Sequence, residues 1–169
     1  MGDIQVVDNF LSTEELNKVL HKSENFHWRY GHSSTGNGIK FWHCNLGNDE
    51  FFTTHILKKI ENYFQKRFLI NKVYANGQTY GLDGSYHTDD YRDDCYTFLL
   101  YLTEGIDKTT VNLIDGHTIF KIDSRIMSVE PLLNRGVLFK SDILHKGMAP
   151  SRNSNVLRIS VAFKLREIK

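Results

Sequence analysis

From Phe68 onward the chain has no helical periodicity and breaks into short β-rich runs: 68–81, 95–103, 109–114, 117–122, 125–130, 135–140 and 156–165. Turn signals such as Asp83-Gly84, Asp115-Gly116 and Asn134-Arg135-Gly136 separate many of them. Many short strands at near-regular spacing suggest a sandwich or a barrel, because a sheet must bury its apolar face against another layer or against itself.

The residues before Phe68 read differently. Ile4 to Val7 suits a short strand. Ser12 starts a helix: its hydroxyl can cap the first turn, Glu15 can reach back as the capping-box partner, and Leu11 can staple onto Leu16. Leu16, Val19 and Leu20 give that helix its apolar face. Residues 26–31 and 39–44 alternate as strands do, and the Gly31–Gly38 loop between them is expected to be exposed and mobile. A second helix is expected over 49–66, where Phe52, Ile56, Ile60 and Phe64 recur every four residues and Leu57 widens the stripe. Both helices should pack as supports on the outside of the β core. The expectation is one domain over 1–169, mainly β, with helical support and flanking strands in 1–67 and the β core in 68–165.

Bulk properties exclude several classes of function. With 21 basic and 20 acidic residues, the chain has no electrostatic footprint for nucleic acid or an anionic membrane. Cys44 and Cys95 are too few for a disulfide scaffold and read as free thiols of a reducing compartment. Neither a signal peptide nor an apolar run near the ~20 residues of a membrane span is evident, so a soluble cytoplasmic protein is expected.

The chemistry concentrates in three places. In Tyr86-His87-Thr88-Asp89-Asp90, His87 and Asp89 are two apart, and on an extended chain residues i and i+2 share a face. A third ligand must come from elsewhere. His145 is the best candidate, because the apolar run Val137-Leu138-Phe139 leads into a polar turn with a histidine at its end. Two imidazoles and one carboxylate leave octahedral positions open, the facial triad of non-haem Fe(II) oxygenases. 2-Oxoglutarate would take two of those positions and O₂ the third. The far carboxylate of 2-oxoglutarate then needs a buried cation. Arg158 lies in a period-two strand that places Arg158, Ser160 and Ala162 on one face and Ile159, Val161 and Phe163 on the other. A guanidinium there is costly to bury unless a carboxylate pairs with it, and its planar fork matches a carboxylate bidentately. Ser160 could add a hydrogen bond, and Tyr101 and Tyr80 are candidate pocket phenols. His117 and His43 read as structural, and Asp90 as a surface or outer residue.

The order His-x-Asp, distal His, then Arg in the last strand resembles the Fe(II)/2-oxoglutarate-dependent dioxygenase superfamily, and within it the prolyl hydroxylase branch. Tyr80-Gly81-Leu82-Asp83-Gly84-Ser85-Tyr86 resembles that branch's approach to His-x-Asp. Thr97–Leu102 resembles its next strand, and Asp115-Gly116-His117-Thr118-Ile119-Phe120 its Gly-Gly-x-Thr-x-Phe element. Residues 135–145 resemble its Gly-x-Leu-x-Phe-x-Ser-x-x-x-His element, and Arg158-Ile159-Ser160 its Arg-x-Ser motif. The likeness covers roughly residues 68–165. It departs in a longer interval from His145 to Arg158, in Asp115 where a Gly is usual, and in Arg158 where the collagen-type enzymes have Lys.

The resemblance implies a double-stranded β-helix (jelly roll) core with N-terminal supporting helices. It implies His87, Asp89 and His145 as iron ligands, Arg158 with Ser160, Tyr101 and Tyr80 toward 2-oxoglutarate, and O₂ as co-substrate, with ascorbate as an accessory reductant. The implied activity is hydroxylation of an unactivated C–H, on a peptidyl-proline or a small molecule. In related halogenases a small residue replaces the carboxylate ligand, so Asp89 points to hydroxylation. Two other readings remain: a nucleic-acid demethylating dioxygenase, with Lys164 six residues after Arg158, and a jelly-roll binding module without turnover.

Overall fold

Every residue of the strand Cys95–Tyr101 is buried, so both faces of its sheet must be covered. The computed structural model, which describes residues 4–103 and 115–168, shows how. The described residues run β1 (Ile4–Val7), α1 (Thr13–Glu24), β2 (Arg29–His32), β3 (Phe41–Asn45), then a π-helical segment (Phe51–Ile56) leading straight into α2 (Leu57–Phe64). There follow β4 (Arg67–Gln78), β5 (Cys95–Tyr101), β6 (Thr118–Ile122), β7 (Arg125–Val129), β8 (Gly136–Lys140), β9 (Leu144–Gly147) and β10 (Arg158–Ile168). A seven-stranded sheet, ordered β1-β8-β5-β10-β4-β3-β2, packs against a three-stranded sheet ordered β7-β6-β9. All pairings are antiparallel. This is a jelly roll.

Period-two alternation sorts the strand residues between two cores. On β5, Tyr96, Phe98 and Leu100 join Val19, Phe52, Ile56 and Ile60 of the helices; Leu99 and Tyr101 join Phe120 and Val129 of the small sheet. β10 repeats the pattern. Val161, Phe163 and Leu165 face the helices, while Arg158, Ser160, Ala162 and Lys164 face the space between the sheets.

The helices start and stop for local reasons. Ser12 Oγ accepts from the Glu15 amide at 3.2 Å, and Glu15 Oε2 accepts from the Ser12 amide at 2.8 Å, which completes the capping box. Leu11 is buried and Leu16 packs on the same core. In the second helix the first six residues wind as a π-helix. An i→i+5 helix takes more residues per turn than an α-helix, so a strict four-residue repeat stays on one face, and Phe52, Ile56, Ile60 and Phe64 are all buried. Gln65, in the left-handed conformation (φ 54°), ends α2.

Some boundaries differ from expectation. β4 ends at Gln78 rather than residue 81, and β10 runs to Ile168. β9 contains His145 where the sequence suggests a turn ending on it, and the expected strand 109–114 lies outside the described residues. Cys44 and Cys95 are free and buried. No helix of the described residues is long and apolar enough to cross a membrane.

Candidate active site

The segment before Asp89 is zipped onto β9. The Gly84 amide donates to the Gly147 carbonyl at 2.8 Å, and His87 and His145 exchange amide–carbonyl hydrogen bonds at 2.9 Å in both directions. Residues paired in this way present their side chains on one face of the ladder, and the two imidazole centroids are 4.4 Å apart. Asp89 is fixed next to them by its amide, which donates to the Ser141 carbonyl at 2.8 Å.

Each imidazole is held in one tautomer. His87 Nδ1 lies 2.9 Å from the Ser85 carbonyl and His145 Nδ1 2.8 Å from the Ile143 carbonyl. A carbonyl can only accept, so Nδ1 carries a proton, and in the neutral ring Nε2 is then the atom with the free lone pair. Both Nε2 atoms turn toward the same carboxylate: His87 Nε2 is 3.4 Å from Asp89 Oδ1, and His145 Nε2 is 3.5 Å from Asp89 Oδ2. Burial pushes the pKa of His145 down to about 4 against the opposing pull of Asp89, so its ring is neutral at pH 7.

The Asp89 carboxylate is 6% exposed. Burial works to raise its pKa, but the Lys164 ammonium and the two imidazoles outweigh burial and hold it well below the usual carboxylate range. Its Oδ2 accepts from Thr97 Oγ1 at 2.6 Å and from the Lys164 ammonium. One carboxylate oxygen is therefore anchored by donors, while Oδ1 faces His87.

One donor atom from each of His87, Asp89 and His145 lies within 4.8 Å of the others. Two bonds of ~2.1 Å at right angles put neighbouring donors about 3 Å apart, so a small closure of these side chains would bring all three onto one ion. Nitrogen and oxygen donors of this kind suit a first-row divalent metal.

A cavity of ≈ 240 Å³ opens from the cluster to Arg158. Arg158 is 2% exposed. Its Nε donates to the Gly116 carbonyl at 2.5 Å, one terminal nitrogen to Gln78 Oε1 at 2.8 Å and more weakly to Ser160 Oγ at 3.4 Å, and the other to Thr118 Oγ1 at 3.0 Å. All of these acceptors are neutral, and no carboxylate of the described residues pairs with Arg158. Burial pushes its pKa down, opposed only by Tyr101.

Two glycines make room for this guanidinium. Gly116 adopts φ +79°, and a Cβ there would sit 3.1 Å from Arg158 Cδ. At Gly147 a Cβ would sit 3.5 Å from both terminal nitrogens and 3.3 Å from Gln78 Oε1, filling the space beside the fork. The same cavity holds Asn76, whose Oδ1 is buried without a hydrogen-bond partner among the described residues. An orphaned polar atom of this kind in a cavity signals a bound partner.

His87, Asp89, His145, Arg158 and Ser160 thus line one cavity. Tyr101 is fully buried behind it, donating to Thr118 Oγ1 at 2.7 Å. Tyr80 is elsewhere: β4 has ended and Gly81 turns the chain at φ 81°, leaving Tyr80 61% exposed and off the cavity wall. Sequence reading missed Gln78, Asn76, Thr118, Thr97 and Gly147. Of these, Asn76 and Gln78 had a usable signal, since they alternate on one face of a strand.

No family model and no curated protein matches the chain. Solved structures do. A prolyl hydroxylase from Trichoplax adhaerens, in complex with a hypoxia-inducible-factor peptide fragment, superposes with a TM-score of 0.74 at 15% identity, covering 98% of this chain and 84% of that one. A 2OG-Fe(II) oxygenase family oxidoreductase from Burkholderia pseudomallei gives 0.75 at 10% identity, covering 97% and 85%. The epimerase SnoN of nogalamycin biosynthesis, in complex with Fe3+, alpha ketoglutarate and nogalamycin RO, gives 0.70 at 14% identity, covering 97% and 78%. The fold is that of the 2-oxoglutarate- and Fe(II)-dependent oxygenases. Within this oxygenase fold the His87–Asp89–His145 cluster and Arg158 occupy the space between the two sheets.

Proposed function

We propose that the protein is an Fe(II)- and 2-oxoglutarate-dependent oxygenase that hydroxylates an unactivated C–H of a peptidyl-proline or a small molecule. The observation that carries this reading is Arg158, a buried guanidinium without a carboxylate, opening onto the same cavity as two imidazole nitrogens and a carboxylate oxygen. Burying an isolated charge costs several kcal/mol, and a dicarboxylate reaching from the cluster to the fork would offset that cost.

The residues present fit the implied metal. His87 Nε2, His145 Nε2 and Asp89 would hold Fe(II), which when bound supplies activation of O₂ for the reaction R–H + O₂ + 2-oxoglutarate → R–OH + succinate + CO₂. The remaining work belongs to this chain. Ser85 and Ile143 carbonyls fix the imidazole tautomers, and Thr97 with Lys164 fixes the carboxylate; such outer partners typically affect metal affinity 10–100-fold. Arg158 receives the distal carboxylate of 2-oxoglutarate in a bidentate fork. Thr118 Oγ1 already accepts from Tyr101 and Arg158, so its own hydrogen is left to donate into the cavity. Tyr101 acts through Thr118 rather than on the ligand, Ser160 lines the fork, and Tyr80 has no part.

The test is production of succinate and CO₂ from 2-oxoglutarate by purified protein with Fe(II) and ascorbate, first without a second substrate and then with proline-containing peptides and small molecules. Mass spectrometry should find a gain of one oxygen in the true substrate. Absence of iron-dependent succinate formation under every condition would refute the reading.

A further inference from the structure

A second cavity, of ≈ 410 Å³, adjoins the first. His32, Tyr74, Asp89 and Lys164 line both, so the Asp89–Lys164 ion pair is part of the wall between them. The far side of that wall is unusual for its charge and for its flat rings.

Lys164 on β10 lies directly opposite Lys72 on β4 in the antiparallel register, and both line this cavity. Like charges directly opposite across strands are destabilising. Lys72 has no ion pair or hydrogen bond among the described residues. The other cation of the cavity, Arg92, is taken up by Asp90, with contacts of 3.0 and 2.6 Å to its two carboxylate oxygens. Asp89 is the acid that meets Lys164, and in the proposed oxygenase it would also carry a divalent ion. The lysine pair then faces a net positive surround. An ammonium has three donors; Lys164 places them on Asp89 Oδ2, on Tyr74 and, at a long 3.5 Å, on Thr97 Oγ1, so Lys72 is the cation of the pair left without a partner among the described residues.

Beside the lysines the cavity is lined by rings. His32, His43 and Tyr74 form a triangle with centroids 4.6, 5.1 and 5.8 Å apart. Burial pushes the pKa of both histidines down, His32 to about 4 with help from neighbouring His43, so they present neutral faces at pH 7. The combination is a cationic end, an apolar flat wall, and a volume within the range of small-molecule sites.

We infer that this second cavity is the prime-substrate site and takes a small organic acid, its anionic head between Lys72 and Lys164 and its carbon skeleton against the His32–His43–Tyr74 rings. The inference rests on the oxygenase reading and narrows it: the substrate is a free acid rather than an internal prolyl residue of a peptide. Because His32 and Tyr74 border both cavities beside Asp89, a skeleton lying along these rings leads from the lysines toward the metal cluster.

The experiment uses the intact protein with Fe(II), 2-oxoglutarate and ascorbate. Succinate formation and a one-oxygen mass gain are measured with free amino acids and short aliphatic carboxylic acids, each beside its primary amide. Phosphate monoesters beside their dephosphorylated parents, proline peptides blocked at both ends, and peptides with a free C-terminus complete the panel. At least one free acid should stimulate succinate formation and become hydroxylated, with a tenfold or greater preference over its neutral counterpart. In Lys72→Gln the ratio of its KM to that of 2-oxoglutarate should rise at least tenfold. As an independent readout, the preferred acid should protect Lys72 from acetic anhydride, read by peptide mass spectrometry, while its amide does not. A carboxylate or a phosphate ester as the preferred ligand identifies which anion the lysines read.

Equal stimulation by acids and amides, preference for blocked peptides, or a peptide C-terminus outcompeting every free acid would overturn the inference while leaving iron-dependent succinate formation intact. Loss of succinate formation with every compound would instead refute the oxygenase reading, and protection of Lys72 would still report on the anion site by itself.

Discussion

Replacement of Arg158 by Met separates a cofactor clamp from a structural arginine. In the ligand-free protein the guanidinium is buried and meets only neutral acceptors. Removing an unpaired buried charge relieves a desolvation penalty of several kcal/mol. Against that, the Gly116 carbonyl, Gln78 Oε1 and Thr118 Oγ1 each lose a donor, at about 1 kcal/mol apiece. The two terms nearly cancel, so Arg158→Met should unfold in urea within about 2 kcal/mol of the parent. Ligand binding should respond very differently. Two charge-assisted hydrogen bonds to a carboxylate are worth roughly 3–6 kcal/mol together, or two to four orders of magnitude in the Kd of 2-oxoglutarate at 1.4 kcal/mol per tenfold. With redox-inert Mn(II) present and 2-oxoglutarate at 100 times the parent Kd, ligand linkage stabilises the parent by about 2.7 kcal/mol. A hundredfold weaker variant would retain only about 0.4 kcal/mol of that. The assay is urea unfolding with and without 2-oxoglutarate. A variant that loses more than about 4 kcal/mol on its own, yet keeps the full stabilisation by 2-oxoglutarate, would show that Arg158 serves the fold and not the ligand.

Further outcomes follow from the same geometry. Gly147→Val places methyl groups beside both terminal nitrogens of Arg158 and should raise the KM for 2-oxoglutarate at least ~10-fold, while Mn(II) affinity, read by isothermal titration, stays within about threefold. Thr97→Val keeps the shape of a fully buried side chain but removes its 2.6 Å hydrogen bond to Asp89 Oδ2, and should weaken Mn(II) binding by about 10-fold in the same titration. Glu15 lies at the base of α1, where burial works to raise its pKa but Lys59, the Ser12 amide and His55 bring it down to about 2 from 4.5. A folded pKa below the unfolded one gives stability that is complete above pH 4.5 and is lost as pH falls toward 2. Glu15→Gln should therefore be less stable than the parent at pH 7, by about 0.5–1 kcal/mol, and the difference should disappear between pH 4.5 and 2 in urea titrations; a gap that persists at pH 2 would refute the assignment.

The sequence made the site's chemistry easier to read than its architecture. Arg158, Ser160 and Ala162 could be set on one face of a strand because β10 alternates polar and apolar residues, and period two is the strongest signal a strand carries. His145 could be named as a ligand, but not its strand. Leu144-His145-Lys146-Gly147 has a single apolar residue, and only Ile143 separates it from the polar Ser141-Asp142, so its composition does not resemble a buried strand. Pairing with β6 and with His87 supplies the missing order. Neutral polar residues were harder to read for a different reason. Gln78 shares a face of β4 with Asn76 but meets the guanidinium only through the register of β4 against β10, and Thr118 looks like an ordinary strand residue until β6 of the small sheet brings it there. The opposition of Lys72 and Lys164 is likewise a property of register, and no single stretch of sequence contains it. The π-helical start of the second helix was hinted at by the four-residue spacing of Phe52, Ile56 and Ile60, which an α-helix would let drift around its surface.

The two halves of the site are held in different ways. β10 lies inside the large sheet, bonded to β4 on one side and β5 on the other. Its far face, through Val161, Phe163 and Leu165, is locked into the helix-packed core. Arg158 and Lys164 therefore inherit their spacing, six residues or about 20 Å of extended chain, from contacts that have no part in chemistry. Between them on the same face stands Ala162, whose single methyl leaves the floor of the cavity low. His87 and Asp89 have no such frame. They sit on a segment outside any continuous strand and are tied to β9 and Ser141 by a few backbone hydrogen bonds. Local opening is easiest where such ties are few, so the imidazole–carboxylate side can make the small closure from a 4.8 Å spread that gathering on one ion requires. The Arg158 end meanwhile stays fixed as the reference against which a bound dicarboxylate is placed.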